Sequence, residues 1–378
     1  MFVKQDEGAR QNELRALWQE AFPEDSEAYL DYLFAHKYRP EFCRLLLKGE
    51  ELAAALHVLP LSFSLCGRAL ELPFYYGVAT FQKFRYQGCA KTLLRASLYE
   101  LREKGIQAAA LYPFHYGFYR KMGFGLLNTC AAFEIPASSL AALGAHSEAG
   151  EATPEGMLAV FSAMVARFEA APLRTLERCA CRLAEWKSDG GSTLAVPGGY
   201  ALFALEEERA DIEELVYTDG LALRALLTKL GEVARTTGCK VVSGTLPEGE
   251  FPHAWFGDSR AMACADPGAM VRPVDLPALL EGCETELTEP LALEIVDEFL
   301  PENSGVWRMV PNGGRIALER GGKADALCPV ETLAGLLFGG QEARAALALG
   351  ELRPASEGAA KALLRAFPKR SSLFFDRY

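Results

Sequence analysis

The chain has 378 residues, 50% of them hydrophobic and 24% charged, with a formal net charge of −11. Two or three domains are expected at this length, and the composition is that of a folded soluble protein rather than a disordered or fibrous one. No apolar run approaches the ~20 residues of a membrane span, and a strongly acidic chain is a poor partner for nucleic acid.

The N-terminal stretch, MFVKQDEGARQNELRALW, is polar and amphipathic, with no signal-peptide core, so a cytoplasmic location is expected. Residues 10 to 36 predict one or two helices, with Leu14, Leu17, Trp18 and Phe22 as the apolar stripe. A meander of strands follows: Phe42 to Leu47, a turn at Lys48-Gly49-Glu50, Leu52 to Leu65, a turn at Cys66-Gly67, then Ala69 to Thr80.

Residues 77 to 124 are the most informative part of the sequence. The apolar run Tyr75 to Thr80 predicts a strand, and Arg85-Tyr86-Gln87-Gly88-Cys89-Ala90 comes shortly after it. A helix then starts, with Leu93, Leu94, Leu98 and Leu101 on one face and Lys91, Arg95, Arg102 and Lys104 on the other. Gly105 ends it, and Gln107 to Tyr112 predicts a second buried strand. A strand, a glycine turn and a helix start make an anion site, because first-turn N–H groups are unpaired and the helix dipole is positive there. An ordinary βαβ crossover would also carry a glycine at its turn. Against that reading, Lys83 and Arg85 place positive charge before the helix in an otherwise acidic chain. Neither the phosphate loop of nucleotide triphosphatases nor the three-glycine dinucleotide spacing is present.

Segment 136 to 156 is rich in Ala, Ser, Gly and Pro and reads as a linker. A fainter strand–helix–strand–Pro copy follows, with strands at Leu202 to Glu207, Ile212 to Thr218 and Lys240 to Thr245, and a helix at Leu221 to Ala234. Asp219-Gly220 stands where the first copy has its basic turn, and a carboxylate there would repel a phosphate. A third region opens at 269, with a helix near 276 to 282, strands near 290 to 300 and 305 to 319, then Pro329 to Phe338 and two helical stretches. The sequence closes on RSSLFFDRY, aromatic for a tail and expected to dock into a pocket. Ten cysteines without CxxC spacing read as buried hydrophobes under reducing conditions, and five scattered histidines predict no metal.

The turn at 85 to 90, together with Tyr116-Gly117-Phe118-Tyr119-Arg120-Lys121-Met122-Gly123-Phe124, strongly resembles the acetyl-CoA-binding core of GNAT-fold N-acetyltransferases. The whole chain, with its degenerate second copy and a third region opening MVRPVDLPALL, resembles the Eis-type ("enhanced intracellular survival") acetyltransferases. The resemblance implies an α/β (α+β) fold of tandem GNAT domains, the second degenerate, followed by a sterol-carrier-protein-like domain. The expected boundaries are 1–140, 150–268 and 269–378. Members of that family can be homo-oligomers.

The resemblance also implies roles. The cosubstrate is acetyl-CoA, and no metal is required. Arg85, Tyr86, Gln87, Gly88, Cys89, Ala90 and Lys91 would hold its pyrophosphate. Backbone of Val78, Ala79 and Thr80 would pair with the pantetheine arm, and Phe114 and His115 would flank it. Tyr86 stands where family members often carry a second basic residue, which shifts the expected grip toward Lys83 and Lys91. Tyr119 is the candidate general acid, since a phenol of pKa about 10 stays protonated at neutral pH and can donate to a thiolate. The alternative is that Tyr119 only packs a helix, and His115 is its rival as a group that titrates near neutrality. The family's base is the C-terminal carboxylate, here that of Tyr378; the alternative is a tail docked only for stability. Phe22, Glu24 and Asp25 are candidate acceptor contacts, an acidic–aromatic group suited to a cationic amine. The expected activity is therefore acetyl transfer to a primary amine of an aminoglycoside- or polyamine-like cation. The alternatives are a protein lysine or N-terminus as acceptor, and a non-catalytic acyl-CoA or lipid-binding protein.

Overall fold

Leu93, Leu94, Leu98 and Leu101 lie on one side of the helix Cys89–Glu103 and are all buried, as their spacing requires. A computed structural model describes residues 1–256 and 261–375 of the chain. It divides into two compact units, one formed by Met1–Asn128 with the chain from Ala269 on, the other by Thr129–Gly268.

The first unit is built on a seven-stranded sheet. In spatial order its strands are Phe2–Gln5, Cys43–Lys48, Glu51–Leu59, Phe74–Thr80, Ala108–Leu111, Met270–Pro273 and Gly125–Leu126. The central strands are apolar on both faces because each face meets a helix layer. Leu45 and Leu47 pack with Leu14, Leu17 and Trp18 of the helix Gln11–Ala21. Leu46, Ala54 and Leu56 pack with the leucines of Cys89–Glu103. Phe74–Thr80 and Ala108–Leu111 run parallel, joined by that helix. The single expected strand from Leu52 to Leu65 is broken at Pro60, and the one from Ala69 to Thr80 at Pro73. Proline has no N–H for the ladder, so the chain makes a separate hairpin, Ser62–Leu65 with Arg68–Glu71, between the two breaks.

The expected boundary at 140 is too late. The strand Thr129–Pro136 belongs to the second unit, where it pairs with Val241–Pro247 and Met262–Pro267. The third region also does not stand apart at 269, because Met270–Pro273 completes the first sheet between Ala108–Leu111 and Gly125–Leu126. Composition could not reveal either exchange, since a strand's partners are set by long-range pairing. Arg272 fixes the insertion: wholly buried, it forms a two-pronged ion pair with Asp297 at 2.8 and 2.7 Å. Beyond it lies a five-stranded sheet, in order Arg315–Arg320, Gly305–Asn312, Leu291–Val296, Ala326–Pro329 and Arg353–Pro354, with helices at Val330–Phe338, Ala343–Ala348 and Glu357–Ala366. The single strand expected at 305 to 319 is a hairpin turning at Gly313 and Gly314.

The second unit repeats the motif. Its six-stranded sheet runs Ser192–Val196, Gly199–Leu205, Arg209–Tyr217, Val241–Pro247, Thr129–Pro136, Met262–Pro267. The helix Gly220–Thr236 crosses between the parallel pair Arg209–Tyr217 and Val241–Pro247. That is the first unit's strand–helix–strand arrangement, as the duplicated pattern predicts.

Candidate active site

The parallel strands of the first unit pair at only two positions, Phe74 with Ala110 and Tyr75 with Leu111. Beyond Tyr75 they diverge. Gly77 produces this splay, at φ +58° opposite a register shift in the neighbouring strand between Ala55 and His57. Only glycine fits here: a Cβ would stand 2.6 Å from Trp18 Cη2 and closer still to Cζ3. Thr80 and Ala79 pair with Ala54 and Ala55 on one side. Their other side faces the gap opened by the splay, where an extended ligand can add as a strand.

After the strand, Gln82–Phe84 makes one tight turn and Arg85 folds back, its Nε donating to Thr80 O at 3.2 Å. Tyr86 takes a positive φ of 61° and its side chain is fully exposed. Gly88 is the N-cap of Cys89–Glu103 at φ +76°, with no side-chain cap and open space where a Cβ would be. Cys89 is buried beneath the turn and Ala90 offers no bulk, so the first-turn amides remain open to an anion. Gln87 donates to Lys83 O at 2.9 Å and accepts from Lys48. Lys83 is ion-paired with Glu51, so its charge is already partly answered, and Lys91 Nζ lies 6.0 Å from the Phe299 ring centre. The second unit shows the contrast: Asp219 caps its equivalent helix, accepting from Leu221 and Ala222 N–H at 2.9 Å each. A carboxylate of the chain itself occupies the place an incoming phosphate would need.

A cleft of about 330 Å³ opens beside the splayed strand, with Gly77, Val78 and Tyr76 on one wall and Phe114, Tyr119 and Tyr112 opposite. Phe22, Phe74 and Tyr75 complete it. Tyr119 sits on the short helix Tyr116–Arg120, its ring 5.5 Å from Phe114, 5.1 Å from Phe118 and 5.6 Å from Phe124. It is 2% exposed, and its hydroxyl has no hydrogen bond among the described residues. Burial pushes the phenol above its ordinary range, so it holds its proton. His115 is exposed and caps the same helix, Nδ1 accepting from Phe118 N–H at 3.1 Å. Phe114 lies in the cleft although it is 75% exposed.

The three acceptor candidates separate. Phe22 lines the cleft, Glu24 is exposed and does not line it, and Asp25 accepts from Trp18 Nε1 at 2.6 Å. Burial raises the Asp25 carboxyl from its ordinary value. Tyr378 lies outside the described residues. Before it, Leu373, Phe374 and Phe375 are buried. Phe374 stacks on Phe74 at 5.7 Å and 14°, and Tyr112 donates to Phe374 O at 2.9 Å. Sequence reasoning missed Phe74, Tyr75, Tyr76 and Tyr112 as residues lining this cleft, and Trp18 as the ring packed against Gly77. The lone Gly77 inside an apolar strand run was the available signal, since such a glycine marks a bulge or a close approach. Among the described residues no group of His, Cys, Asp and Glu is placed to hold a metal ion, and no helix is long and apolar enough to cross a membrane.

Residues 7–127 match the family model of the acetyltransferase (GNAT) domain, and residues 276–374 that of the sterol carrier protein domain. No curated protein matches the chain. Among solved structures, a GCN5-related N-acetyltransferase from Anabaena variabilis ATCC 29413 is 19% identical, with a TM-score of 0.84 over 100% of both chains. A probable N-acyltransferase from Enterococcus faecalis V583 is 18% identical, with a TM-score of 0.84 over 100% of this chain and 99% of that one. Eis1 from Mycobacterium abscessus is 16% identical, with a TM-score of 0.78 over 100% of both. At these identities the likeness to the solved structures is one of fold. The open helix start and the splayed strand fit an acyl-CoA, the donor that this family's fold uses. Residues 7–127 are thus a GNAT acetyltransferase domain, and the chain as a whole has the fold of the Eis-type members of that family.

Proposed function

We propose that the chain is an acetyl-CoA-dependent N-acetyltransferase acting on the primary amine of a small molecule. The observation that carries this reading is the single cleft lined by both Val78, on the splayed strand, and the buried Tyr119. Backbone N–H groups of Gln87 to Lys91 take the pyrophosphate, and Val78 to Thr80 take the pantetheine arm. The Val78 N–H is then placed to polarise the thioester carbonyl. The amine nitrogen bonds to the carbonyl carbon, the C–S bond breaks, and the Tyr119 hydroxyl gives its proton to the departing thiolate. The terminal carboxylate of Tyr378 takes the proton that the amine loses. The buried Phe374, stacked on the cleft residue Phe74, supports that role for the residues that follow it. The net charge of −11 concentrates cations around the molecule without choosing among them.

The test is thiol release from acetyl-CoA by the full chain, with mass analysis of the product, across small amines and lysine peptides. Equal amounts of thiol and acetylated small amine are expected. Turnover of peptides alone would move the acceptor to protein. Tight acetyl-CoA binding with no acceptor turned over would make the chain a carrier. A C-terminal extension that left turnover intact would remove the Tyr378 carboxylate from the chemistry.

A further inference from the structure

We propose that Arg120, Glu351 and Gln341 are positioning residues for the transfer: they aim the Tyr119 hydroxyl by holding the end of the short helix that carries it. This rests on the reading of Tyr119 as the general acid. The hydroxyl has no hydrogen bond among the described residues, so no polar group at the cleft wall directs it. The rings it meets, Phe114, Phe118 and Phe124, belong to the same stretch of chain and travel with it. The leucines of Cys89–Glu103 close the core beneath, and such apolar packing is not directional. Direction therefore comes from the helix Tyr116–Arg120. Five residues are too few for a helix to hold itself in water, so its setting depends on what its ends are tied to.

At the start, His115 Nδ1 accepts from Phe118 N–H, a tie within the helix itself. The other end is tied across the fold. Arg120 Nη2 donates to Glu351 Oε1 at 2.7 Å, and Arg120 Nε lies 4.0 Å from Glu331 Oε1. Glu351 is held from behind: Gln341 Nε2 donates to its second oxygen, and its own N–H donates to Ala346 O at 2.9 Å. Just after the helix, the chain presses on the same part of the protein. A Cβ on Gly123 would stand 2.8 Å from Arg272 Cζ, and one on Gly125 would overlap Glu331 O. Tyr119 and Arg120 are consecutive, so their side chains leave the helix about 100° apart, and any rotation of the helix moves both. A turn of about 10° shifts a group at the helix periphery by about 1 Å, and a misplacement of that size costs up to about 100-fold in rate. The pair is partly exposed, so its contribution to stability is small, and what it supplies is direction.

The experiment measures kcat and the KM for acetyl-CoA, with the best amine from the thiol-release assay, in Arg120→Gln, Glu351→Gln, the double variant and Arg120→Lys. Each is made in the wild type and in Tyr119→Phe. Either loss of charge is expected to lower kcat about tenfold and to leave KM within about twofold, because the donor is held by Gln87 to Lys91 and Val78 to Thr80. The double variant should be no slower than either single one, and Arg120→Lys should recover part of the loss. In Tyr119→Phe the same changes should leave the residual turnover as it is, since no acid remains to be misplaced. Single variants within twofold of the wild-type kcat overturn the proposal, and so does a tenfold loss that persists in Tyr119→Phe. Full turnover by Tyr119→Phe alone defeats the acid reading and the proposal with it. If the wild type acetylates no amine, the acetyltransferase reading fails, and amide exchange on the full chain still tests the tie. Peptides covering 116 to 126 should then exchange about threefold faster in Arg120→Gln and Glu351→Gln, and unchanged exchange overturns the proposal.

Discussion

Replacing Tyr119 by Phe removes one oxygen and leaves the ring that Phe114, Phe118 and Phe124 surround. In a purely structural role that oxygen contributes little, since Tyr119 lines the cleft and its hydroxyl has no hydrogen bond among the described residues. A hydroxyl at a cleft wall that bonds no protein group contributes little to stability, so Tyr119→Phe is expected to melt within a few degrees of the wild type. Catalysis, by contrast, should fall. Loss of a positioned general acid lowers turnover by about 10²–10⁴, or roughly 3–5 kcal/mol of barrier. Because burial raises the phenol above its ordinary value, it stays protonated through pH 9, and no basic limb from Tyr119 should appear in the rate profile below that. The assays are thiol release for kcat, calorimetry for acetyl-CoA binding, and thermal melting. A variant with kcat within twofold of the wild type would refute the assignment, as would one that loses activity only because it melts earlier.

Gly77→Ala places a Cβ inside the Trp18 ring at a backbone φ of +58°, so we expect about 2–4 kcal/mol lower stability and weaker acyl-CoA binding, read by melting and calorimetry. His57 is buried between Trp18 and Tyr38, with both ring nitrogens lacking a hydrogen bond, and burial lowers its pKa to about 4 despite the opposing pull of Asp6. The unfolded chain therefore binds this proton between pH 6.5 and 4 while the folded chain does not, so stability falls as pH drops. From pH 7 to pH 5 that loss is about 2 kcal/mol, and His57→Leu should remove it from the pH dependence of melting. Asp219→Ala in the second unit should cost about 1 kcal/mol of helix capping and leave the KM for acetyl-CoA unchanged; a shifted KM would mean that this unit also handles cofactor.

Much was legible in the sequence because it is local. The leucine spacing of Cys89–Glu103, the glycine after it and the basic turn before it are each decided within a few residues, and the structure follows them. The repeat was visible for the same reason, and Asp219 could be read as a carboxylate in the wrong place for a phosphate. The acceptor site was legible only in part. Phe22 reaches the cleft, but a pattern of acid beside aromatic cannot say that Asp25 turns to Trp18 instead. Side-chain direction depends on which partner across the fold needs a hydrogen bond.

The sequence by itself determined which residues can form helices and strands, and that the helix Cys89–Glu103 starts at a glycine with no side-chain cap. Both follow from backbone propensity and from glycine's freedom at Gly88. Only the tertiary structure decided that Met270–Pro273 completes the first sheet and that Trp18 forces glycine at 77. It alone showed a cleft walled by rings. These are contacts between residues far apart in the chain, and long-range pairing and packing leave no periodic trace in sequence.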